Sequence, residues 1–512
     1  MIQGTGSFVG KSLIVAGLCR LLRQDGFKVA PFKAQNMALN SFVTPEGGEM
    51  GRAQVVQAEA AGLEPHVDMN PILLKPHTDV GAQVILQGKV FGNMNADEYH
   101  RFKKEALRTV MESYGRLAQK YQVIVIEGAG SPAEINLREG DIANMGMAEA
   151  ADAPVLLVGD IDKGGVFASL VGTLELLSME ERGRIKGFII NKFRGDPSLL
   201  TPGLEFLEKK TGIPVLGVVP YLKDLYLPEE DGVVLENFSE KEERQVNIAV
   251  LYLPHISNFT DFDPLEHEPG VYLRYVQPGQ KIGDADAVIL PGSKNTIEDL
   301  LFLKKEGYAD EILKLLRSGK MVIGICGGFQ MLGKTIRDPF GVETSLGEVE
   351  GLGLLNVVTI LKKEKTTFQV KAIPLSGEKE TLKGYEIHMG DTERGTSSQP
   401  VFKIIERLKQ KVEVEDGAIS ADGQVWGTYL HGLFENDGFR QRFIESLRKN
   451  KGLSSSTRIE DLDYKAFKER AYEKLAAALR KDLDIKRVYR IIGIKSPPLP
   501  SPSEGGGLGR GW

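Results

Sequence analysis

The chain has 512 residues, of which 42% are hydrophobic and 26% charged, a composition typical of a globular protein with two or more domains. Its 64 basic residues are outnumbered by 70 acidic ones, for a formal net charge of −6, which argues against a nucleic-acid or anionic-membrane surface. With only two cysteines and no recognisable signal peptide or membrane-spanning run, we expect a cytoplasmic protein. Composition leaves the oligomeric state open.

The first predicted element is a glycine-rich loop, QGTGSFVGKS, at residues 3–12. Gly4 lies seven positions before Lys11, one more than in the common G-x-x-x-x-G-K-[ST] phosphate-binding loop, and Thr5 stands where that loop has its first glycine. The apolar run before the loop is only MIQ, whereas a full strand needs about five residues, which favours a shortened amino end.

The residue types of this loop suit phosphate binding. Gly4, Gly6 and Gly10 allow positive φ and, with Thr5, let consecutive backbone amides approach phosphate oxygens. The helical pattern that follows places Lys11 at a helix amino terminus, where anions are favoured. Lys11 would then reach the β- and γ-phosphates and the Ser12 hydroxyl would ligate Mg²⁺. A glycine-rich turn without a ligand is the structural alternative. Cys19 lies in the same helical pattern, and we expect it to be buried.

Seven apolar runs along the chain predict strands: YQVIVIEGAG, APVLLVGDID, KGFIINKF, IPVLGVVP, VNIAVLYLP, DAVILPGS and MVIGICGG. Runs that are apolar on both faces and alternate with helical patterns are typical of central strands in parallel sheets. The sequence therefore predicts an α/β protein with two doubly wound parallel-sheet domains.

The expected division of the chain follows from composition. Residues 1–230 form a P-loop domain, the acidic and polar residues 231–245 a linker, and residues 246–445 a second α/β domain. Residues 446–494 contain an amphipathic, highly charged helical pattern. Residues 495–512, rich in Pro, Ser and Gly, cannot bury a core, so we expect a disordered tail.

The segment GTGSFVGKS resembles the loop of dethiobiotin synthetase-like P-loop proteins. The resemblance implies an ATPase that phosphorylates a carboxylate of a small molecule, with Mg²⁺ and no tightly bound organic cofactor. Three strand-end residues fit this expectation: Glu127 for a second Mg²⁺ position, Lys33 for neutralising a phosphate or substrate carboxylate, and Asn191 as a contact to the nucleotide. Taken singly, each has an equally good structural explanation.

A possible nucleophile lies in the second half of the chain. In MVIGICGGFQMLG, Cys326 sits between a predicted strand and a helix with small residues around it, which is typical of a nucleophile elbow. Such a thiol needs a base nearby in space, and His431 in WGTYLHGLFEN is the candidate. A buried structural thiol is the alternative for Cys326, and a structural role is the alternative for His431.

These residues resemble a class I glutamine amidotransferase domain, in which a cysteine attacks the side-chain amide of glutamine. The resemblance implies that AVILPGSKNT and the elbow complete an oxyanion hole from the backbone amides of Gly292 and Gly327. The usual glutamate two residues after the histidine is Leu433 here. We therefore expect either another orienting group, with Glu435 as the guess, or a Cys–His dyad.

Matching segments run along nearly the whole chain and resemble the cobyric acid synthase family. They include VAPFKAQNMALNSFVTPEGGEMGRAQVVQAEAAG, MNPILLKP, DIANMGMAE, DIDKGGVFASLVGT, NKFRGD, GICGGFQMLG, GYEIHMG and WGTYLHGLFEN. The resemblance implies ATP- and glutamine-dependent amidation of the b, d, e and g carboxylates of adenosylcobyrinic acid a,c-diamide. The partners implied are ATP, glutamine and a corrinoid polyacid, with no nucleic acid and no membrane.

Candidates for contacting the corrinoid or the metal lie in two loops after predicted strands. They are Asp141, Asn144, Asp162 and Lys163, for each of which a loop-capping role is equally well supported. Arg52, Gln54 and Glu59 occur in a helical stretch that would face the ATP site or solvent, and His388 is expected on a strand of the second domain.

Three alternative functions stay open at this point. Cobyrinic acid a,c-diamide synthase shares both domain types but acts on other carboxylates. A partition-type P-loop ATPase has similar loops but leaves Cys326 and His431 unexplained. A noncatalytic amidotransferase-like scaffold is conceivable because the usual glutamate is absent.

Overall fold

The computed structural model describes residues 1–78, 81–223, 225–228, 245–396, 398–453 and 462–495. Residues 231–244 of the expected linker and residues 496–512 of the expected tail lie outside the described residues. Among the helices in the described ranges, none is both long enough and apolar enough to cross a membrane.

The amino-terminal half contains strands β1 (Ile2–Gly4), β2 (Val29–Phe32), β3 (Gln35–Met37), β4 (Ser41–Val43), β5 (Glu49–Gly51), β6 (Ile72–Thr78), β7 (Gly81–Leu86), β8 (Lys89–Asn95), β9 (Val123–Ile126), β10 (Val155–Asp160), β11 (Ile185–Phe193) and β12 (Val215–Pro220). Its helices are α1 (Lys11–Gln24), α2 (Arg52–Ala61), α3 (Ala96–Ala118), α4 (Met145–Ala150), α5 (Val166–Leu176), α6 (Met179–Arg184) and α7 (Thr201–Thr211).

A parallel sheet forms the centre of this half. Strands β1, β10, β11 and β12 pair in that order, β2 pairs with β9, and a parallel bridge between Ile2 and Glu127 joins the two groups. All six residues of β10 are buried, as expected of a strand covered by helices on both faces. The carboxyl ends of β1, β2 and β9 therefore meet at one edge, where the glycine-rich loop begins.

The sequence patterns did not predict a second, smaller sheet in this half. Strands β3, β6, β7 and β8 form a four-stranded mixed sheet, and β4 and β5 form a hairpin. These strands are short or exposed on one face, so they lack the continuous apolar run that marks a central strand.

The carboxyl-terminal half contains strands β13 (Val246–Leu251), β14 (Ile256–Ser257), β15 (Val271–Val276), β16 (Ala287–Leu290), β17 (Gly292–Ser293), β18 (Met321–Ile325), β19 (Thr335–Arg337), β20 (Glu348–Glu350), β21 (Val357–Pro374), β22 (Leu382–Arg394), β23 (Phe402–Arg407), β24 (Gln410–Asp416), β25 (Ala418–Ile419), β26 (Val425–Thr428) and β27 (Leu430–His431). Its helices are α8 (Asp263–Glu266), α9 (Thr296–Lys305), α10 (Tyr308–Arg317), α11 (Gly327–Leu332), α12 (Asp437–Asn450), α13 (Tyr464–Asp482) and α14 (Ile485–Ile491).

Two sheets form the carboxyl-terminal half. The first has the order β15-β13-β16-β18-β26-β25 and is parallel except for β25 at its edge. The second is largely antiparallel and is built on the long pair β21 and β22, with β27 beside β22. The predicted α/β class with parallel sheets is confirmed, and the antiparallel sheet is an addition to it. His388 lies on β22, as expected.

The helical extension packs onto the amino-terminal half. Ala471, Leu475 and Leu479 of α13 join the apolar core that α1 and β1 form on one face of the parallel sheet. The backbone of Leu483, just after α13, bridges to Gly217 of β12. The preceding helix α12 runs across the expected division at residue 446, so the chain returns to its first half without a break at that position.

We predict that Gly217→Ala destabilises the protein. A Cβ at this position would lie 2.1 Å from the Asp482 carbonyl oxygen, and a backbone atom cannot move aside as a side chain can. The expected loss is about 1–3 kcal/mol of unfolding free energy, measured by urea denaturation. Gly92→Ala is the matched control, because a Cβ on that strand glycine meets no atom within 4 Å. Equal stability of the two variants would contradict this packing.

Candidate active sites

The glycine-rich loop wraps around the Lys11 ammonium. Lys11 Nζ donates to the Gly6 carbonyl at 2.8 Å and to the Gly130 carbonyl at 3.0 Å. Gly10, at the start of α1, has a φ of 95°, a left-handed conformation that favours glycine. The loop therefore places a cation and a turn of backbone at the carboxyl edge of β1, as the phosphate-binding interpretation requires.

Glu127, directly after β9, is the centre of a buried polar cluster at this edge. Its carboxylate accepts hydrogen bonds from Ser12 Oγ and Lys33 Nζ, each at 2.9 Å, and from the side-chain amide of Gln57. Burial alone would raise the pKa of Glu127, but the Lys33 ammonium and the Gln57 amide hold it below its usual value. The predicted residues Ser12 and Lys33 thus both bind the charged carboxylate of the third predicted residue, Glu127.

Asn191, expected to contact the nucleotide, holds the loop. Its Nδ2 donates to the Val9 carbonyl at 2.9 Å, and a Cβ at Gly10 would lie only 2.1 Å from that nitrogen. Lys192 donates to the Phe8 carbonyl and forms an ion pair with Asp160 at 2.9 Å. These side chains at the end of β11 fix the shape of the loop, and Asn191 also lines the cleft beside it.

A cleft of about 1260 Å³ opens from this loop. Sites for one small molecule usually measure roughly 300–1,000 Å³, so the cleft has room for a nucleotide and a second ligand. Its wall includes Lys33, Met37, Lys103, Leu137 and Arg138. Met37 and Leu137 are more than half exposed, and the charged residues of the wall are both basic and acidic.

The four candidate contacts to the corrinoid or the metal make different interactions in the structure. The Asp141 carboxylate accepts the backbone amides of Ala143, Asn144 and Gly146 at 2.8–3.0 Å, and Asn144 accepts the Ala129 amide at 3.0 Å. Both line the cleft but are engaged in shaping its wall.

The other two candidates lie further along the chain, after β10. Asp162 is paired with Arg194 at 2.6 Å and does not line the cleft, whereas Lys163 lines it with its ammonium 5.8 Å from the Phe8 ring centre.

Cys326 occupies a strained turn between β18 and α11. Its backbone has φ 52° and ψ −108°, which a residue with a side chain seldom adopts. The glycines around Cys326 are required because a side chain would clash with neighbouring backbone. A Cβ at Gly328 would lie 2.0 Å from the Leu290 carbonyl oxygen, and one at Gly324 would lie 2.6 Å from the Gly328 backbone. The thiol, 7% exposed, donates to the Ile387 carbonyl at 3.4 Å. The elbow predicted from sequence is present.

His431 pairs with a carboxylate that the sequence analysis missed. Its Nδ1 lies 2.6 Å from Asp261 Oδ2, and the other carboxylate oxygen accepts the Gly432 amide at 2.9 Å. Both side chains are at least 95% buried. The second ring nitrogen, Nε2, makes no hydrogen bond of ordinary geometry within the described residues, and the Cys326 thiol is a neighbouring group that interacts with this imidazole.

The charge state of His431 follows from these neighbours. Burial opposes protonation, but the Asp261 carboxylate and the nearby Cys326 sulfur outweigh it and raise the pKa of His431 to about 10. The imidazolium is therefore favoured at neutral pH. An imidazolium beside a thiol is the arrangement that activates cysteine nucleophiles.

Gly292 and Gly327 flank this pair. A Cβ at Gly292 would lie 3.3 Å from His431 Cε1, and a Cβ at Gly327 would lie 2.9 Å from the Ser293 amide nitrogen. The Gly292 backbone thus lies close to the His431 ring, and the Gly327 backbone packs tightly against Ser293 of β17. The geometry is compatible with the expected pair of backbone donors.

Glu435, the guessed orienting group, is in the wrong place for that role. It pairs with Arg52 at 3.2 Å and Lys468 at 3.5 Å, and Lys468 also reaches Glu59 at 3.2 Å. Arg52 and Glu59, which were considered for the ATP site, therefore belong to an ionic cluster between α2, α13 and the loop after His431. The usual glutamate is replaced by an aspartate from a different segment.

A sequence signal for Asp261 existed. The polar run SNFTDFD follows β13 closely, and β13 lies between β15 and β16 in the parallel sheet. Ligands bind at the carboxyl edge of such sheets. An acidic residue there was a candidate on position alone, but the sequence does not show which carboxylate meets His431.

Comparison with known proteins identifies both halves. Residues 1–234 match the CobQ/CobB/MinD/ParA nucleotide binding domain, and residues 247–439 match the CobB/CobQ-like glutamine amidotransferase domain. The chain is thus a nucleotide-binding domain joined to a glutamine amidotransferase domain.

Full-length relatives define the family. The chain is 55% identical over 500 residues to "Cobyric acid synthase" of Thermoanaerobacter sp. (strain X514), covering 96% of this chain and 98% of that protein. It is 51% identical over 505 residues to the protein of the same name from Syntrophobacter fumaroxidans, again covering 96% and 98%. The chain belongs to the cobyric acid synthase family.

A solved structure, "Structure of PurLQS from Thermotoga maritima", aligns with 40% of this chain and 99% of its own at 20% identity. The TM-score of 0.31 is too low for a detailed comparison.

We predict that Asp261→Asn lowers the pKa of His431 from about 10 to its ordinary value near 6.5 or below, because burial then acts without a compensating anion. NMR titration of protein with ¹³C-labelled histidine rings measures this directly. Glu435→Gln is the control, since Glu435 contacts Arg52 and Lys468 instead. A His431 pKa that is unchanged in Asp261→Asn, or lowered equally in Glu435→Gln, would contradict the assignment.

Proposed function

We propose that the chain catalyses the cobyric acid synthase reaction, the ATP- and glutamine-dependent amidation of the b, d, e and g carboxylates of adenosylcobyrinic acid a,c-diamide in cobalamin biosynthesis. The observation that carries the proposal is that one chain holds two separate reactive sites. One is the Cys326–His431–Asp261 row, and the other is the charged cleft around Lys11 and Glu127. The relatives of that name, matched over nearly their whole length, support the same reaction.

At the thiol site, the proposed role of Cys326 is nucleophilic. Its thiolate attacks the side-chain amide carbon of glutamine, and the amide hydrogen bonds of Gly292 and Gly327 stabilise the oxyanion. His431 gives its Nε2 proton to the departing nitrogen, so that the C–N bond breaks and ammonia leaves behind a γ-glutamyl thioester. Water, deprotonated by His431, then hydrolyses the thioester to glutamate.

At the cleft, the proposed reaction makes a carboxylate electrophilic. A substrate carboxylate oxygen attacks the γ-phosphorus of ATP, forming an acyl phosphate and releasing ADP. Ammonia then attacks the acyl carbon and phosphate leaves, which yields the amide. Lys11 and Lys33 stabilise the negative charge that moves between the oxygens during transfer.

Mg²⁺ is the metal that this cleft would hold with ATP. The Ser12 hydroxyl and the Glu127 carboxylate lie 2.9 Å apart, and such hard oxygen donors suit an ion that usually takes one or two protein ligands beside phosphates and water. Bound there, Mg²⁺ would neutralise phosphate charge. The lowered pKa of Glu127 keeps the carboxylate ready to bind.

The corrinoid is proposed to occupy the open side of the cleft. Exposed apolar side chains of Met37 and Leu137 offer a surface for a flat macrocycle, and Lys103 and Lys163 offer cations for its carboxylates. Arg138 also lines the cleft, but it is paired with Glu181. Asp141 and Asn144 are assigned to shaping the wall. ATP, glutamine and this polyacid are all small-molecule substrates, and we place the reaction in the cytoplasm.

The alternatives explain less of the structure. Cobyrinic acid a,c-diamide synthase would use both sites but act on different carboxylates, so the product distinguishes it. A partition-type ATPase would leave the Cys326 site without a function. A noncatalytic scaffold would have no need for the buried Asp261–His431 pair.

The test is mass spectrometry of the product formed from the a,c-diamide, ATP, Mg²⁺ and glutamine. We expect four successive losses of about one mass unit, one for each carboxylate converted to an amide. Absence of any amidation would refute the proposed reaction, and amidation of cobyrinic acid at its a and c carboxylates alone would favour the diamide synthase.

Two variants separate the sites in the same assay. Cys326→Ser should abolish glutamine-supported amidation, by roughly 10²-fold or more, while high external ammonia still supports it. Lys11→Ala should lose amidation with either nitrogen source but still hydrolyse glutamine. Loss of both activities in Cys326→Ser, with the fold intact, would count against separable sites.

A further inference from the structure

The turn that carries Asp261 is held by the other half of the chain. The Phe259 amide donates to Asn40 Oδ1 at 3.0 Å, and the Ser41 amide donates to Asn258 Oδ1 at 3.2 Å. Asn40 and Ser41 belong to the nucleotide-binding domain, just before and within β4, whereas Asn258 and Phe259 belong to the amidotransferase domain. Asn40 and Ser41 have no measurable exposure, and Asn258 is 2% exposed.

This turn also has contacts within its own domain: β14 pairs with β17, the Tyr275 hydroxyl donates to the Phe259 carbonyl at 3.3 Å, and Phe259 lies in the apolar core. Asn258 adopts a left-handed conformation, with φ 55° and ψ 34°, which costs free energy for a residue other than glycine. Inside the turn, the Asp261 amide donates to the Asn258 carbonyl at 3.0 Å. A shift of Asn258 would therefore be passed directly to Asp261, and from there to the imidazole that Asp261 holds.

A second contact is made with the face of the His431 ring. The Tyr385 ring stacks on the imidazole, with ring centres 5.2 Å apart and planes at 14°. The Tyr385 hydroxyl accepts from Asn258 Nδ2 at 3.2 Å and donates to the Ser41 carbonyl at 3.4 Å. Asp261 and Tyr385, which hold the imidazole, are thus both hydrogen-bonded to Asn258. Asn258 and Tyr385 in turn both contact the backbone of Ser41 in the nucleotide-binding domain.

We propose that Asn40 is a positioning residue of the glutaminase site, supplied by the nucleotide-binding domain and acting through the Phe259 amide on the Asp261–His431 pair. The proposal rests on the glutaminase reaction proposed above. Because Asn40 Oδ1 accepts the Phe259 amide in the turn that carries Asp261, we expect its effect to be on the orientation of His431.

The position of Asn40 along the chain gives this contact a further consequence. Lys33, seven residues earlier, binds Glu127 in the cleft, and Met37, three residues earlier, lines the cleft. The segment that ends at Asn40 therefore lies between the nucleotide cleft and the turn that carries Asp261.

The test compares glutamine hydrolysis by wild type, Asn40→Ala and Thr44→Val. Asn40→Ala leaves the Phe259 amide without its acceptor, so kcat should fall roughly 10–100-fold with KM nearly unchanged. The alkaline limb of the pH–rate profile should move to lower pH, because a displaced Asp261 stabilises the imidazolium less. Ammonia-supported amidation should be retained, since the cleft is not altered.

Thr44→Val is the matched control. Thr44 is a fully buried polar residue of the same hairpin, but within the described part of the chain its hydroxyl bonds with Gly48 in the hairpin turn. It should keep the wild-type kcat and pH profile even if it loses stability. If Asn40→Ala does not fold, Asn40→Ser gives the same comparison with a side chain too short to reach Phe259.

Wild-type kcat and an unshifted pH profile in folded Asn40→Ala or Asn40→Ser would overturn the proposal. A parallel loss of ammonia-supported amidation would also overturn it, because that pattern indicates a general structural role. Failure of the proposed function is a different result, namely no glutamine hydrolysis by the wild-type protein.

Discussion

The hydrogen bond from the Phe259 amide to Asn40 joins the two halves of the chain at the point where the second half builds its reactive histidine. His431 is 1% exposed and its pKa is raised to about 10, which is sustainable only because Asp261 is buried beside it. Asp261 in turn sits on a turn with a left-handed residue, Asn258. The charge at the thiol site therefore depends on a contact made across the domain boundary.

The two reactive sites share one electrostatic design. Glu127 is a buried anion stabilised by Lys33, and His431 is a buried cation stabilised by Asp261. A buried charge without such a partner would be neutralised by a shift of its pKa. In both sites the partner comes from another segment of the chain, so correct assembly of the fold is what sets the charge state.

Helix α2 runs between the two sites. Gln57, in its second half, donates to Glu127 in the cleft, whereas Arg52, at its start, pairs with Glu435 four residues after His431. Most of the helix is buried, including both of these polar side chains. Ammonia is a nucleophile only when unprotonated, so transfer through the protein interior keeps it reactive. We infer that it passes within the boundary that α2 and the Asn40 segment form.

Sequence patterns predicted the parallel sheets and the glycine-rich turns at Lys11 and Cys326, because each depends on residues that are consecutive in the chain. The apolar runs identified seven strands of the parallel sheets, one of which, β12, lies at a sheet edge. The glycine spacings around Lys11 and Cys326 marked two tight turns in which a Cβ would clash with neighbouring atoms. The orienting group of His431 could not be predicted, since Asp261 lies 170 positions away and no local pattern links the two. Glu435 is only four residues from His431 in the chain, but it pairs with Arg52 and Lys468 instead. Nearness in sequence is a poor guide to contact in an α/β fold.

Contacts between domains were equally inaccessible from sequence. Asn40, Arg52 and Glu59 lie in helical or turn patterns in which a polar residue is ordinarily solvated, yet Asn40 and Arg52 are fully buried or nearly so. The antiparallel sheet on β21 and β22 was not predicted because neither strand has a continuous apolar run, and the pattern of β21 is interrupted by the charged stretch KKEK at a register shift between Leu361 and Thr366. Its residue Tyr385 supports His431.

An isotope competition tests most directly whether the two sites are joined inside the protein. The a,c-diamide is converted with glutamine labelled with ¹⁵N in its side-chain amide while excess unlabelled ammonium is present in the buffer, and the isotope content of the new amides is measured by mass spectrometry. If ammonia is transferred inside the protein, the new amides should carry nearly the same ¹⁵N enrichment as the glutamine. This should hold at every ammonium concentration at which glutamine is still the faster nitrogen donor. Amides diluted in proportion to the external ammonia would show that nitrogen reaches the cleft through the solvent, and would contradict the account.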